Sequence, residues 1–423
     1  MRGRLTAAAL VGGYFGLLAA LGGYDRWGRL GVFPVDRSRP LWFGDLRSVT
    51  SAWDCARRGI AVLPRNPCDP WQRPANYPHI WVWPTFLGLG QGDTFALGFV
   101  VGGIFLLAAL AVLPRRADVL AGAVYGLALC SPAVMLGVQR GNVDLLLFAL
   151  LVLAALVAGR SLLSGALVFF AAVLKLFPIF AVGMLLRRAR RAAWLVAGAV
   201  VVGFAVYAAA TLGTIREIRR VVPQVNDTSF GVRRFSDWAA AALSGHSTPV
   251  AWDVAIVVAA VAVAFLLRRR LRAHLAPAGE RELDLFWAGA SVYVGSYALY
   301  RSFDYRLCVV LMTVPLLLRW ARERRAVAAV TLLALFGSLW LDAPWSGVPV
   351  LGWLAHSHVV SLPPVVLAQL VLFLGLVAGL VATAPAAVPF RLPQLVRSST
   401  TRQREARSGA AGASSVSSAR SGR

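Results

Sequence analysis

WLVAGAVVVGFAVYAAATL, residues 194–212, carries no charged side chain. Folded as a helix rising about 1.5 Å per residue, such a run nearly crosses the ~30 Å hydrocarbon core of a bilayer. Arg187, Arg188, Arg190 and Arg191 stand just before it. An apolar run with arginines at one end reads as a membrane span with its orientation attached. Working outward, similar runs with few or no charges lie at 5–23, 143–159, 250–267 and 364–382. A soluble domain does not need several of them. The chain is 58% hydrophobic, against about 45–50% for soluble globular chains.

Taken in order, the apolar segments are 5–23, 94–113, 119–137, 143–159, 162–174, 176–186, 194–212, 250–267, 284–300, 307–319, 326–341 and 364–382. The expected fold is all-α: a polytopic membrane helical bundle of about twelve transmembrane helices, within a range of about 10–13. Segments 162–174 and 176–186 are short for independent spans; Lys175 falls between them and Pro178 near the start of the second. One kinked element is expected there. Residues 1–385 form the membrane domain on this reading. The tail 386–423, rich in Ser, Ala, Gly and Arg, is expected to be disordered and cytoplasmic. Residues 1–23 resemble a signal peptide only in part; an uncleaved first helix is expected.

The net charge is +24, and all basic residues but Lys175 are Arg. Such a balance can mark a nucleic-acid binder. Here most Arg cluster between apolar runs, with no nucleic-acid-binding motif beside them, so the clusters are read as topological signals and no nucleic-acid partner is expected. With the N-terminus in the cytoplasm, Arg115–Arg116, Arg187–Arg191, Arg268–Arg272 and Arg319–Arg325 all fall on the cytoplasmic side. The larger loops 24–93, 213–249 and 342–363 face outward and hold most of the Trp, Asp and His. The arginines in two of them stand against the charge rule and call for an anionic partner such as a lipid head group.

The first outer loop, 24–93, is the most informative segment. From Asp45, Leu46, Val49, Trp53 and Ala56 recur at helical spacing, which predicts an amphipathic helix lying in the membrane interface. Asp45 falls at its N-terminus, where a carboxylate is favoured. Capping and catalysis are both open to it. Cys55 and Cys68 are candidates for a disulfide on an oxidising side. Further polar residues sit at outward span ends: Asn142 and Asp144 in Gln139–Asp144, Lys175, Asn226, Arg233 and Arg234, Arg301, Asp304 and Arg306, and His356 in the last outer loop. An ionisable group such as Lys175 within apolar sequence faces a cavity and marks function more often than not. Asp304 has Arg301 and Arg306 as local partners. No Cys/His spacing argues for zinc. The residues alone fit an enzyme acting on a lipid-borne substrate, and a transporter or flippase of a lipid-linked sugar nearly as well. The absence of a clear internal repeat favours the enzyme.

Five places carry a family resemblance: Gly44-Asp45-Leu46-Arg47 with Asn76-Tyr77-Pro78; Gly141-Asn142-Val143-Asp144-Leu145-Leu146; Leu174-Lys175-Leu176-Phe177-Pro178; Asn226 to Gly231; and Phe303-Asp304-Tyr305-Arg306-Leu307. In these the chain resembles the bacterial polyprenol-phosphate-dependent glycosyltransferases of the GT-C superfamily. It is most similar to family 87, which includes mycobacterial mannosyltransferases of phosphatidylinositol mannoside and lipomannan synthesis. The resemblance implies a hexosyltransferase in the bacterial plasma (inner) membrane. Both termini would be cytoplasmic and the active site extracytoplasmic. The donor would be a polyprenyl-phosphate sugar, mannose first, and the acceptor a glycolipid or glycan. It also implies Asp45 as general base, with Lys175, Arg233, Arg234, Arg301 and Arg306 available to the donor phosphate. No cofactor is expected, and the metal requirement is left open. No Rossmann fingerprint or DxD motif points to a nucleotide sugar. Two departures from the family are the Leu-Arg-Ser-Val-Thr run after Asp45, usually more aromatic, and the Cys55/Cys68 pair.

Overall fold

The computed structural model describes residues 1–20, 42–222, 229–243, 250–273, 278–299, 301–341 and 364–385. The tail 386–423, Asn226 and His356 lie outside them. The described chain is predominantly helical. Helix α1 (Arg2–Ala20) is followed by α2 (Gly44–Arg57), a 3₁₀ stretch His79–Leu87, α3 (Thr94–Val112), α4 (Val119–Leu129), α5 (Pro132–Arg140), α6 (Asp144–Leu156) and α7 (Ser161–Leu174). A 3₁₀ segment Phe177–Val182 leads into α8 (Gly183–Arg187), then α9 (Arg191–Ala210), α10 (Leu212–Val221), α11 (Val232–Leu243), α12 (Val250–Leu266) and α13 (Arg268–Ala273). After α14 (Glu280–Ala298), a 3₁₀ segment Asp304–Thr313 runs into α15 (Val314–Arg322), followed by α16 (Ala326–Trp340) and α17 (Pro364–Thr383). Two short strands, β1 (Ser229–Phe230) and β2 (Ser302–Phe303), pair antiparallel with Ser229 opposite Phe303.

Among the described residues, four helices are long and apolar enough to cross a bilayer by themselves: α1, the stretch Gln91–Val112, α9 and α17. The pair α4 and α5, bent by 57° at Cys130–Ser131, makes a fifth if it is one span. The other apolar runs form shorter helices, so the count expected from the sequence exceeds what length and composition alone support. Two of them gain length by changing their winding. A 3₁₀ helix rises about 2.0 Å per residue against 1.5 Å for an α-helix, so Asp304–Arg322 extends roughly 33 Å, more than α-helix throughout would give. Phe177–Arg187 reaches roughly 20 Å in the same way.

The apolar segments run alternately between two polar ends. At the first, Arg4 donates to the Leu113 carbonyl at 2.6 Å and Arg281 to the Ala111 carbonyl at 2.6 Å. Arg187 reaches Asp284 at 2.5 Å, Arg319 reaches Glu282 at 2.6 Å and Arg322 reaches Asp118 at 2.7 Å. Arg268 donates to the Ala384 carbonyl at 2.8 Å, at the close of α17. The arginine clusters read as one-sided in the sequence therefore meet at one end. Arg4, Arg281, Arg268 and Arg272 occupy carbonyls that helix C-termini leave unpaired, where a cation also suits the helix dipole, and the others pair with carboxylates.

Lys175 does not mark a kink. It closes α7 at the opposite end, and Phe177–Arg187 returns antiparallel to the arginine end, where Arg187 meets Asp284. The two short segments are therefore separate elements running in opposite directions along the bundle. Helices α1 and α4 cross with backbones nearly touching: a Cβ on Gly122 would lie 2.1 Å from the Gly3 carbonyl oxygen. Small residues allow that approach, and close van der Waals packing takes over where lipid removes the hydrophobic drive.

Helix α2 corrects a second expectation. Asp45, Leu46, Ser48, Val49, Thr50, Ser51, Ala52, Trp53 and Cys55 are all buried, so the helix sits inside protein rather than flat on the interface. Two of its hydroxyls have side-chain partners from other segments: the Thr50 and Thr94 hydroxyls lie 2.7 Å apart, and Asn66 donates to the Ser51 hydroxyl at 3.0 Å. The apolar spacing reported one face correctly; the surrounding loop covers the others. The interfacial character falls instead on His79–Leu87, where Trp83, Phe86 and Leu87 are exposed.

Candidate active site

At the end opposite the arginine clusters, four elements bring their polar residues together. Helix α2 starts at Gly44 after Phe43, whose φ of 55° is left-handed. A bulky residue seldom adopts that conformation, and it is held here by Phe95 and Phe99 against its ring. The turn leaves Asp45 in the first turn of α2 but not as its cap: no side-chain cap bond forms at Phe43, and the Asp45 carboxylate points elsewhere.

It points to the link between α5 and α6. Arg140 donates to Asp45 Oδ1 from Nε at 2.9 Å and from a terminal nitrogen at 2.5 Å. Asn142 donates to Oδ2 at 2.6 Å. Between them stands Gly141 at φ 58°, and a Cβ there would lie 3.0 Å from Phe43 Cβ and 3.1 Å from Leu46 Cβ. Glycine is required twice over: the left-handed turn aims Arg140 and Asn142 at one carboxylate, and the missing Cβ lets α2 approach. Asn142 also accepts the Asp144 backbone N–H at 2.9 Å, so one amide joins the two acids.

Asp144 is fully buried at the start of α6. Lys175 Nζ donates to its Oδ1 at 2.6 Å, and Arg306 Nε lies 3.6 Å from Oδ2. Arg306 therefore pairs with Asp144, not with Asp304, and also donates to the Ser302 hydroxyl at 2.9 Å. Its guanidinium stacks over Phe177 at 4.2 Å. Lys175 sits 5.5 Å from the Tyr77 ring centroid and 5.4 Å from that of Tyr305. A buried ammonium gains from such ring faces. The 3₁₀ segments at Phe177 and Asp304 both begin here, so the unusual winding that lengthens these passes also delivers Phe177, Tyr305 and Arg306.

Burial pushes the Asp45 carboxyl up, but the charge and hydrogen bond of Arg140, the Asn142 amide and the charge of Arg73 outweigh it. The net shift is below the ordinary carboxylate value, so Asp45 is ionised at neutral pH. Arg73 is fixed by the Asp69 carboxylate, at 2.7 Å, and donates to the Gly44 carbonyl at 2.6 Å. Burial raises the Tyr77 phenol well above its usual value, with the Asp45 charge adding to it. Tyr77 thus remains a neutral hydroxyl at any working pH.

The remaining predicted cations divide away from this group. Arg233 pairs with Asp237 at 2.9 Å and lies 3.5 Å from Asp253; Arg301 also pairs with Asp237. Arg234 donates to the Ser229 carbonyl at 2.5 Å. Asp253 accepts from the Ser236 hydroxyl. The β1–β2 ribbon joins the two clusters, since Ser302 carries Arg306 and follows Arg301. Asp304 is buried at the start of its 3₁₀ segment. Cys55 and Cys68 are joined, Sγ–Sγ 2.12 Å, tying the end of α2 to the loop that carries Asp69 and Arg73.

Arg140, Arg73, Tyr77 and Tyr305 were not singled out for roles from the sequence. Arg140 carried a signal: an arginine at the outward end of a span contradicts the charge rule. Tyr77 and Tyr305 stood inside motifs already quoted.

Fold and site together define a membrane protein of many apolar helices with a buried carboxylate–cation cluster at one end. Residues 80–284 match the family model described as Glycosyltransferase family 87. Over this stretch the chain is a family 87 sequence, and the class it indicates is a glycosyltransferase. No curated protein and no solved structure matches the chain. The matched stretch contains Arg140, Asn142, Asp144 and Lys175. Asp45 precedes it and Arg306 follows it; the geometry brings both to its polar centre.

Proposed function

We propose that this glycosyltransferase moves a hexose, mannose in the first instance, from a polyprenyl-phosphate sugar to a lipid-linked or glycan acceptor. On this reading the shorter apolar helices also cross the membrane, making about twelve spans in a GT-C-like bundle. The arginine end and both termini are cytoplasmic, the membrane is the plasma membrane, and the site opens to the extracytoplasmic face. No cofactor is needed beyond the donor itself.

The observation that carries the reading is the pair of acids joined through Asn142, one partnered mainly through Arg140 and the other by Lys175 and Arg306. A carboxylate accepts about four hydrogen bonds. Asp45 accepts three, two on Oδ1 and one on Oδ2, which leaves Oδ2 able to take an acceptor hydroxyl. The acceptor oxygen attacks the anomeric carbon while its proton passes to Asp45. The bond from that carbon to the phosphate oxygen breaks, and the polyprenyl phosphate leaves with the electron pair. Lys175 and Arg306 stabilise the charge that grows on it. Attack opposite the leaving group inverts the anomeric centre. Arg233, Arg234 and Arg301, held by Asp237 and backbone, form the adjoining wall.

The test supplies purified protein with labelled polyprenyl-phosphate mannose and a host lipid extract, with the nucleotide-linked sugar in a parallel reaction. Transfer to a glycolipid from the lipid-phosphate donor alone is expected. Transfer from the nucleotide sugar, or silence across a panel of polyprenyl-phosphate sugars, contradicts the reading.

A further inference from the structure

A cavity of about 300 Å³ opens at the arginine end, far along the bundle from Asp45. Leu271, Leu317, Trp320, Thr331 and Ala378 form its largely apolar walls, and Arg324 and Arg325 stand at one side. None of its lining residues is acidic. At this end Arg4, Arg187, Arg268, Arg281, Arg319 and Arg322 each have a carboxylate or carbonyl partner. Arg324 and Arg325 differ: among the described residues, neither side chain has a hydrogen-bonded or ion-paired partner, and Arg325 Nε is buried without one. Leaving a buried charged donor unpaired is costly.

The backbone here adds a second observation. Helix α15 closes with the Arg325 N–H on the Trp320 carbonyl at 3.1 Å and the Arg324 N–H on the Ala321 carbonyl at 3.0 Å. That closure places Arg324 at φ 58°, a position where glycine is the unstrained choice. The chain carries an arginine in its place. The wall also continues outward: Val327 lines the cavity and is exposed, as are Val330 and Leu333 further along α16. On a membrane helix those exposed side chains face lipid, so the cavity is reached from the bilayer.

We propose that this cavity binds one anionic phospholipid, with its phosphate on Arg324 and Arg325 and the first part of an acyl chain against Leu317, Trp320 and Ala378. Two arginines supply forked donors that match a phosphate, the apolar walls suit a chain, and the opening on α16 provides a route between bilayer and site. The site lies outside the reacting centre and does not depend on which sugar is transferred.

The full chain, delipidated and returned to phosphatidylcholine vesicles, is given a photoactivatable phosphatidylglycerol probe, and cross-linked peptides are mapped. Labelling within 317–331 and 371–379 is expected, with little from the matching phosphatidylcholine probe. Arg324→Gln with Arg325→Gln lowers it roughly tenfold, the equivalent of one charge-assisted hydrogen bond. Ala378→Phe, which fills the cavity and keeps both charges, lowers it as well. Inorganic phosphate in excess does not displace the probe, because it lacks the chain. Thermal unfolding of each variant shows that it is folded. Equal labelling by the zwitterionic probe, unchanged labelling in folded variants, or full displacement by phosphate overturns the proposal. So does labelling that appears only after truncation behind Pro385, since the C-terminal segment is then the occupant.

Discussion

The two polar ends of the bundle use the same side chains to opposite effect. At the arginine end, Arg187 and Arg188 hold Asp284 from both sides, and Glu280 adds a further bond to Arg187. Other guanidinium groups there close helix C-termini. These bonds join regular helices whose ends were already fixed by the apolar runs. At the site end, Asp45, Asn142 and Asp144 are set by a left-handed Phe43, a left-handed Gly141 and two 3₁₀ segments. The acids there are also buried, but Asp45 retains acceptor capacity. The lesson is that pairing alone does not mark a site. Irregular backbone together with unfilled hydrogen-bonding capacity does.

Substitutions at the two ends should therefore separate activity from stability. The largest effect on turnover belongs to Asp45→Asn, which keeps shape and removes the proposed base: a fall of about 10²–10⁴ in kcat, with a loss of stability smaller than that of breaking a fully buried pair because its partner Arg140 is 43% exposed, measured by glycolipid transfer and thermal unfolding. Lys175→Met comes next. It removes a phosphate-stabilising cation and leaves Asp144 short of a partner, so transfer drops by roughly 10²–10³ and stability falls by about 3–5 kcal/mol. Adding Asp144→Asn to Lys175→Met should restore much of the stability and none of the transfer; recovered transfer would place the cation in a structural role only. At the other end, Asp284→Asn should weaken folding by a similar few kcal/mol, since it undoes a buried cluster, while turnover per folded molecule stays near wild type. The smallest effect is that of Arg322→Gln. Its partner Asp118 is exposed, and neither transfer nor melting temperature should move measurably.

Much of this contrast was legible in the sequence at the level of segments. Apolar runs and arginine clusters placed the helices and sorted their ends, because membrane spans are set by composition over many residues. The first-loop acid and the Asn142–Asp144 link also stood out. What escaped were features that depend on contact between distant segments. Arg140 meets Asp45 across 95 positions, and no local spacing announces that pair. The burial of α2 was hidden because an amphipathic pattern reports only the face that is apolar. Its Ser and Thr residues look solvent-facing until Asn66 and Thr94 are seen to partner them. The turn of the chain at Lys175 was misread because a segment too short as an α-helix was not credited with 3₁₀ length.

The central claim is that Arg140 and Asn142 hold Asp45 as an ionised base. Its carboxyl is depressed in the folded protein, so the charged form is present at and above the ordinary aspartate value, about 3.9, and is lost as pH falls through a lower one. Removing the Arg140 charge leaves burial as the dominant influence, which raises the carboxyl. The most direct measurement is the pH dependence of kcat/KM for wild type and Arg140→Gln, compared side by side. The account predicts an acid limb that lies below the usual carboxylate range in wild type, or below the stability limit of the assay, and moves to higher pH in Arg140→Gln. An acid limb at the same pH in both proteins, or one that survives in Asp45→Asn, would contradict it.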